Sequence, residues 1–410
     1  MYLLHKKLLF FLFICKCCQC VKMITNRSLN LGTETAFSVL AKANKLAEQG
    51  KEIINLGIGQ PDFLTPEHIV EAGIKALRDG HHGYTQASGI PKLREAVCSD
   101  IFRRHNVEIS PENILIVPGG KVIIFFSSML LGDNNREILY PNPGFPIYES
   151  AIRFSGAKPV PYRLREDLGF SFSAEDILNK INSKTSLIII NSPSNPTGGI
   201  IPKGEIDKLI TGLENYPNTM LMSDEIYDQF CFGETHFTSI LNYPSIRDRL
   251  IILNGWSKTY AMTGWRLGYG VFPDTLIDAA DKLAVNVHSC VNASAQYAAL
   301  EALNGPQDCV TMMNKAFKIR SKIMFEELNK LDLISCNNPQ GAFYCFPNIS
   351  KLNFKSLDFQ NKLLNDTGIA AIAGTSFGEF GEGYLRFSCA SSEESIKKAI
   401  EKLALFLSKL

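Results

Sequence analysis

The strongest constraint on this chain is a series of short apolar runs, each of which stops at a glycine or a polar cluster. Ile114-Leu-Ile-Val117 ends at Pro118-Gly119-Gly120, and similar runs follow at Glu137–Tyr140, Leu187–Ile190, Met220–Met222, Leu250–Leu253 and Leu267–Val271. Runs of this length bounded by turn residues read as strands buried on both faces, the signature of a parallel sheet. Between several of them lie helix-length stretches, such as Lys121 to Leu131 and Gly204 to Glu214, as parallel crossovers require. No repeat period and no low-complexity linker interrupts the pattern. The expected class is therefore α/β.

The C-terminal third reads differently. Met312 to Leu331 predicts a long amphipathic helix, Gly341 to Phe346 alternates like an antiparallel strand, and a last helix spans Ser392 to Leu410 with Glu393 and Glu394 in its first turn, where the helix dipole favours acids. The amphipathic stretch Thr35–Gln49 is expected to pack with this region. The boundaries we expect are an extension over 1–22, an N-terminal part of a small domain over 23–60, a large domain over 61–304 and the rest of the small domain over 305–410.

Composition narrows the function classes. With 410 residues, 45% apolar and 20% charged, the chain has globular proportions and room for two or three domains. Lys and Arg number 42 against 41 Asp and Glu, a net charge of +1, so no global field draws it to nucleic acid or an acidic membrane. Seven of the eleven cysteines lie scattered from Cys98 to Cys389 without paired spacing, and the other four sit in Cys15-Lys-Cys17-Cys18-Gln-Cys20. We read reduced thiols in a cytoplasmic chain, with no disulfide framework and no metal site. Residues 1–22 imitate a signal peptide, but their apolar run is at the short limit, lacks a cleavage site and is too short to span a bilayer. We read them as a dispensable extension or a mis-assigned start before Met23.

The residues that follow the apolar runs carry the chemistry. Gly119-Gly120-Lys121, Asn191 to Asn195, Asp224 to Tyr227 and Ser257-Lys258 each come directly after one, at the carboxyl edge where open α/β sheets bind ligands. Any one of them could be an ordinary turn; four in succession are a pattern. A lysine just beyond a buried strand, Lys258, is desolvated, and its amine becomes available to form an imine. Arg266, eight positions on, offers a guanidinium fork for a phosphate ester near that amine. Lysine and phosphate clamp together suggest pyridoxal 5′-phosphate.

At this point the chain resembles the class I/II, fold-type I pyridoxal-phosphate-dependent aminotransferases, in particular the bacterial aspartate-aminotransferase-like branch. The resemblance covers about residues 30 to 405. It rests on Gly57-Ile-Gly-Gln-Pro-Asp-Phe63, Tyr84-Thr-Gln-Ala-Ser-Gly89, Tyr140-Pro-Asn-Pro-Gly-Phe145, Asn191 to Gly199, Ser223-Asp-Glu-Ile-Tyr227, the Lys258 segment and Tyr384-Leu-Arg-Phe-Ser388. It implies a large domain with a mainly parallel sheet flanked by helices, a small α+β domain, and a homodimer with shared active sites. It also implies that Asp224 faces the pyridine nitrogen, keeping the ring an electron sink, and that Tyr227 and Asn195 bond the ring's phenolic oxygen. Phe145 would stack on the ring. Gly119, Gly120, the Lys121 amide, Ser257 and Arg266 would cradle the phosphate, with Tyr84 reaching it across the dimer interface. Arg386 would pair with the substrate α-carboxylate, assisted by Asn195 and Gly59, and the Asn195-Pro196 bond would be cis.

By this resemblance the reaction moves an amino group from an L-amino acid to a 2-oxo acid, with Lys258, Asp224 and Tyr227 as the catalytic set and ping-pong kinetics. Lys121 matches the lysine that some bacterial relatives use for a distal substrate carboxylate. The threonine they place near the N-terminal helix aligns with Ala36, next to Thr35, and Asn286 to Asn292 holds His288 but no arginine. Aspartate with 2-oxoglutarate is the first expectation, followed by alanine or aromatic amino acids. A carbon–sulfur β-lyase could use the same lysine and aspartate. A regulator built on this fold would need a DNA-binding domain upstream, for which only some 30 residues precede the match. A nicotinamide dehydrogenase is disfavoured, because Gly57-Ile-Gly59 lacks the third glycine of the dinucleotide fingerprint.

Overall fold

The computed structural model describes residues 24–410; the N-terminal extension and its cysteine cluster lie outside them. Among the described residues the strands follow in the order β1 (Ile54–Asn55), β2 (Ile114–Val117), β3 (Glu137–Asn142), β4 (Lys158–Arg163), β5 (Thr185–Asn191), β6 (Met220–Asp224), β7 (Leu250–Asn254), β8 (Gly268–Val271), β9 (Tyr344–Cys345), β10 (Ile369–Ala370), β11 (Ile372–Ala373) and β12 (Leu385–Ser388).

Every apolar run lies in one seven-stranded sheet, ordered β2-β8-β7-β6-β5-β3-β4. Strands β4, β3, β5, β6 and β7 are parallel, while β8 lies antiparallel between β7 and β2. The reversal has a local cause: between Asn254 and Gly268 the chain forms only the one-turn helix Trp256–Thr259 and a 3-10 turn at Thr263–Trp265, with no long helix to carry it back across the sheet. Successive side chains alternate between two cores. Leu115, Ile138, Leu187, Ile189, Met222, Ile251 and Leu253 pack on one face, and Ile114, Leu139, Ile188, Ile190, Leu221, Leu250 and Ile252 on the other. Burial on both faces is why these strands read as unbroken hydrophobic runs. The edge strand β4 escaped that reading, because its sequence Lys-Pro-Val-Pro-Tyr-Arg carries two prolines, which a ladder tolerates at its edge.

The C-terminal third gathers around smaller sheets. Strand β1 pairs in parallel with β10, Ile54 opposite Ile369, so the N-terminal segment is stitched into this region. Strands β11, β12 and β9 form an antiparallel sheet. The helix Thr35–Glu48 buries Val39 and Ala43 in a cluster with Ala370, Ile372, Phe346 and Phe377. The long helix spans Asp308–Leu328, four residues earlier at its start than its amphipathic pattern suggested, with Asp308 in the first turn. The last helix is Glu393–Leu407, capped by the Ser392 hydroxyl, which accepts from the Ser395 amide. The segment Gly341–Phe346 departs from expectation: only Tyr344–Cys345 is strand, and the segment is buried throughout. Phe343 and Tyr344 pack with Phe317 and Phe359, while Phe346 joins the cluster around Val39, so both of its faces are covered. No helix among the described residues is long and apolar enough to cross a membrane.

Candidate active site

Because β8 alone is reversed, its start lies at the same edge of the sheet as the ends of its neighbours. That edge therefore collects Gly119 after β2, Asn191 ending β5, Asp224 ending β6, Lys258 after β7 and Arg266 just before β8. The β1 and β12 segments cover it with Gly59 and Arg386. Between them opens a cavity of about 460 Å³. Of the residues singled out from the sequence, Gly59, Gly120, Lys121, Phe145, Asn195, Asp224, Tyr227, Ser257, Lys258, Arg266 and Arg386 all line it. Gly119 lies just behind, against Arg266. Tyr84 is not brought in: it is 93% exposed on the surface.

Lys258 sits in the first turn after Gly255, and its ammonium donates to the Gly59 carbonyl. Burial, reinforced by the positive charge of Arg386, lowers its pKa from the usual 10.5 to about 8, as desolvation of an amine demands. The residue keeps partial exposure through the cavity, so the amine is both poised and reachable. Asp224 is fully enclosed, and burial raises its carboxyl to about 6, although the Tyr148 hydroxyl donates to it at 2.6 Å and the Ile226 amide at 3.2 Å. Burial raises the Tyr227 phenol well above its usual range, and its hydroxyl pairs with that of Tyr344 at 2.7 Å.

Arg386 is held as a fork. One terminal nitrogen donates to Asn195 Oδ1 at 2.8 Å and the other to the Gly57 carbonyl at 2.5 Å, while Tyr344 and Phe377 flank the guanidinium at 4.6 and 4.8 Å. Its Nε is buried with no partner, a donor that a bound anion can satisfy. Asn195 is placed by its own backbone amide, which donates to Asn191 Oδ1 at 3.0 Å, and by a cis bond to Pro196.

The geometry fits a phosphorylated aldehyde cofactor. Gly119 has a φ of +93°, which L side chains rarely adopt, and a Cβ there would meet Arg266 Nη2 at 2.1 Å, so glycine lets backbone and guanidinium close into one cradle that a side chain would push open. Arg266 itself adopts φ +57° and donates to the Thr263 carbonyl at 2.8 Å. Ser257 lies beside it with its hydroxyl 3.4 Å from the Leu267 carbonyl. A desolvated amine, an enclosed carboxylate and an anion cradle in one cavity match the aldehyde, ring nitrogen and phosphate of pyridoxal phosphate in kind.

Sequence reasoning missed three members of this site. Tyr148 stands one helical turn after Phe145 and reaches Asp224; Tyr344 touches both Tyr227 and Arg386; Glu34 enters from the start of the Thr35–Glu48 helix. Only the first had a local signal, its spacing of three from Phe145. The Cys345 and Cys389 thiols share a hydrogen bond at 3.8 Å and form no disulfide, and among the described residues no cluster of three His, Cys, Asp or Glu could hold a metal ion.

Comparison with known proteins identifies the family. The family described as aminotransferase class I and II matches residues 51–403. An aspartate aminotransferase from Bacillus sp. (strain YM-2) is 34% identical over 393 residues, covering 94% of this chain and 99% of that protein. The solved structure of the aspartate aminotransferase from Rhizobium meliloti superimposes with a TM-score of 0.89 at 31% identity, covering 93% of this chain and 98% of that one. An alanine aminotransferase from Pyrococcus furiosus gives 0.87 at 32% identity over 94% and 100% of the two chains. The chain thus belongs to the class I and II aminotransferases, transaminases that work with pyridoxal phosphate.

Proposed function

We propose that this enzyme moves the amino group of an L-amino acid to a 2-oxo acid at the Lys258 cavity, with aspartate and 2-oxoglutarate as its first pair of substrates. The observation that carries the reading is one buried amine, lowered to about 8, sharing a cavity with the Arg386 fork. Lys258 would hold pyridoxal phosphate covalently, Asp224 would face its ring nitrogen, and Tyr227 and Asn195 its phenolic oxygen. Phe145 would cover a ring face. Gly119, Gly120, the Lys121 amide, Ser257 and Arg266 would hold the phosphate. Bound there, the cofactor supplies an electron sink that acidifies the Cα–H bond of an amino acid attached to it.

The chain's own residues do the rest. Arg386 takes the α-carboxylate, and its two anchored nitrogens leave Nε and one edge of the fork to fix the orientation of Cα. Released when the substrate's amino group takes its place, Lys258 Nζ, basic but not fully protonated near neutral pH, would accept the Cα proton and return it to the carbon on the other side of the transferred nitrogen. Asp224 holds negative charge where the ring would otherwise lose its proton, and Tyr148 keeps that carboxylate ionised. The oxo-acid product leaves before a second oxo acid enters, which gives two half-reactions in alternation.

Tyr84, projecting from the surface, fits a homodimer in which it reaches the partner's phosphate site. The free, scattered thiols of the described residues fit a reducing, cytoplasmic setting, and we assign residues 23–60 with 305–410 to a small domain and 61–304 to a large one. The similarity to the alanine aminotransferase, and the apolar Phe37, Ile58 and Phe145 in the cavity wall, keep alanine and aromatic donors as the second reading. The test is a half-reaction screen: each amino acid is added to the cofactor-loaded enzyme and conversion of the visible absorbance is followed. Aspartate is expected to convert it and Lys258→Ala to show no turnover; turnover by that variant would refute the assignment.

A further inference from the structure

The cavity contains one carboxylate that the proposed chemistry does not use. Glu34 occupies the N-cap position of the Thr35–Glu48 helix, yet its side chain makes no capping hydrogen bond. It turns inward and takes the Lys121 ammonium as an ion pair. Glu34 is only 17% exposed at its side chain and Lys121 42%, so the pair sits at the cavity mouth rather than in bulk water. Lys121 also lies over the rings of Phe145 at 5.6 Å and Phe37 at 5.9 Å, which fixes it against the apolar wall. The charge of Glu34 is felt deeper in, where it opposes the lowering of the Lys258 and Arg386 pKa values.

The cavity's cations are Lys121, Lys258, Arg266 and Arg386, and its carboxylates are Asp224 and Glu34. With Lys258, Arg266 and Arg386 assigned above, Lys121 is the remaining cation for a second carboxylate on the substrate, and Glu34 already fills it. A substrate with an uncharged side chain leaves the pair closed and meets Ala36, Phe37 and Ile58. A dicarboxylate, such as the aspartate proposed above, must displace Glu34 from Lys121 and then lie beside its carboxylate, so its advantage over a monocarboxylate is smaller than Lys121 alone would give. We propose that Glu34 is a specificity-determining residue: an internal carboxylate that competes with the substrate's second carboxylate for Lys121 and so sets the preference between dicarboxylic and monocarboxylic substrates. The inference rests on the site reading given above but reaches past it, to a residue of this chain that governs its range.

The test uses the cofactor-loaded enzyme and two unreactive ligands, succinate and propionate, titrated calorimetrically into the wild type, Glu34→Gln, Lys121→Met and the double variant. The amide keeps the shape of Glu34 and removes its charge. Glu34→Gln is expected to improve succinate binding relative to propionate by about tenfold, the scale of a partly exposed charge pair acting with a removed repulsion. The ratio of kcat/KM for aspartate to that for alanine should rise in step, through KM. In the Lys121→Met background no cation is left to compete for and only the repulsion is removed, so the same substitution should move either ratio by clearly less, about threefold. A ratio that stays put or falls in Glu34→Gln, or a change of equal size with and without Lys121, overturns the proposal. The two readings fail separately: transamination with an unmoved succinate-to-propionate ratio refutes the role of Glu34 alone. A shifted ratio in an enzyme that transaminates none of these substrates refutes the proposed function alone.

Discussion

Removing the amine of Lys258 should stabilise the cofactor-free enzyme, and by an amount that depends on pH in a defined way. In the folded chain its pKa falls from 10.5 to about 8, chiefly through burial and then through Arg386. That drop of about 2.5, at about 1.36 kcal/mol for each pH unit, sets a ceiling of about 3.4 kcal/mol on the cost of keeping the amine charged. Part of the side chain faces the cavity, whose water lowers this cost, so about 2 kcal/mol is expected. The sign follows from proton counts. Between about pH 8 and 10.5 the unfolded chain binds more proton at this site than the folded one, so wild-type stability rises with pH across that window; below about pH 8 the full cost applies. Lys258→Met has no such proton. Its stability advantage over the wild type, from chemical unfolding midpoints and slopes, should therefore shrink by about 2 kcal/mol between about pH 7 and about pH 10.5. Other lysines and tyrosines titrate in both proteins and cancel. An advantage that is flat or grows with pH would refute a desolvated amine at this position.

Gly119→Ala places a Cβ at 2.1 Å from Arg266 Nη2 on a backbone with φ +93°, so absorbance titration should show pyridoxal phosphate binding weakened by about tenfold or more, with a fold-stability loss of about 1 kcal/mol. Tyr148→Phe deletes the 2.6 Å hydrogen bond that holds the Asp224 pKa down against burial. The acid limb of the kcat/KM profile should move upward by about one pH unit, the size of a charged hydrogen bond. Arg386→Lys removes the bidentate fork anchored by Asn195 and Gly57; steady-state kinetics should show kcat/KM reduced at least ~100-fold for every amino acid tried.

The sheet was legible because its strands are buried on both faces, which compels unbroken runs such as Ile114–Val117 and Leu250–Leu253. The polar residues that end those runs were legible for the same reason: a sheet edge turns the end of each run into a site. Strand β4 was not, since its prolines erase the pattern, and neither was the reversal of β8, which depends on the compact link through Trp256–Thr259. In the site, Lys258, Arg266, Asp224, Asn195 and Arg386 stand in distinctive local strings. Tyr344 and Glu34 do not. Tyr344 meets Tyr227 across 117 positions and Glu34 meets Lys121 across 87, and no local spacing encodes contacts that only the closed fold creates.

The central claim is that Lys258 is the residue on which the cofactor is carried, and reductive trapping tests it most directly. Enzyme loaded with pyridoxal phosphate is reduced with borohydride, digested and mapped by mass spectrometry. A pyridoxyl group on the peptide bearing Lys258, lost in Lys258→Met, is the predicted result; a stoichiometric label on another lysine, or none on Lys258, would contradict the account.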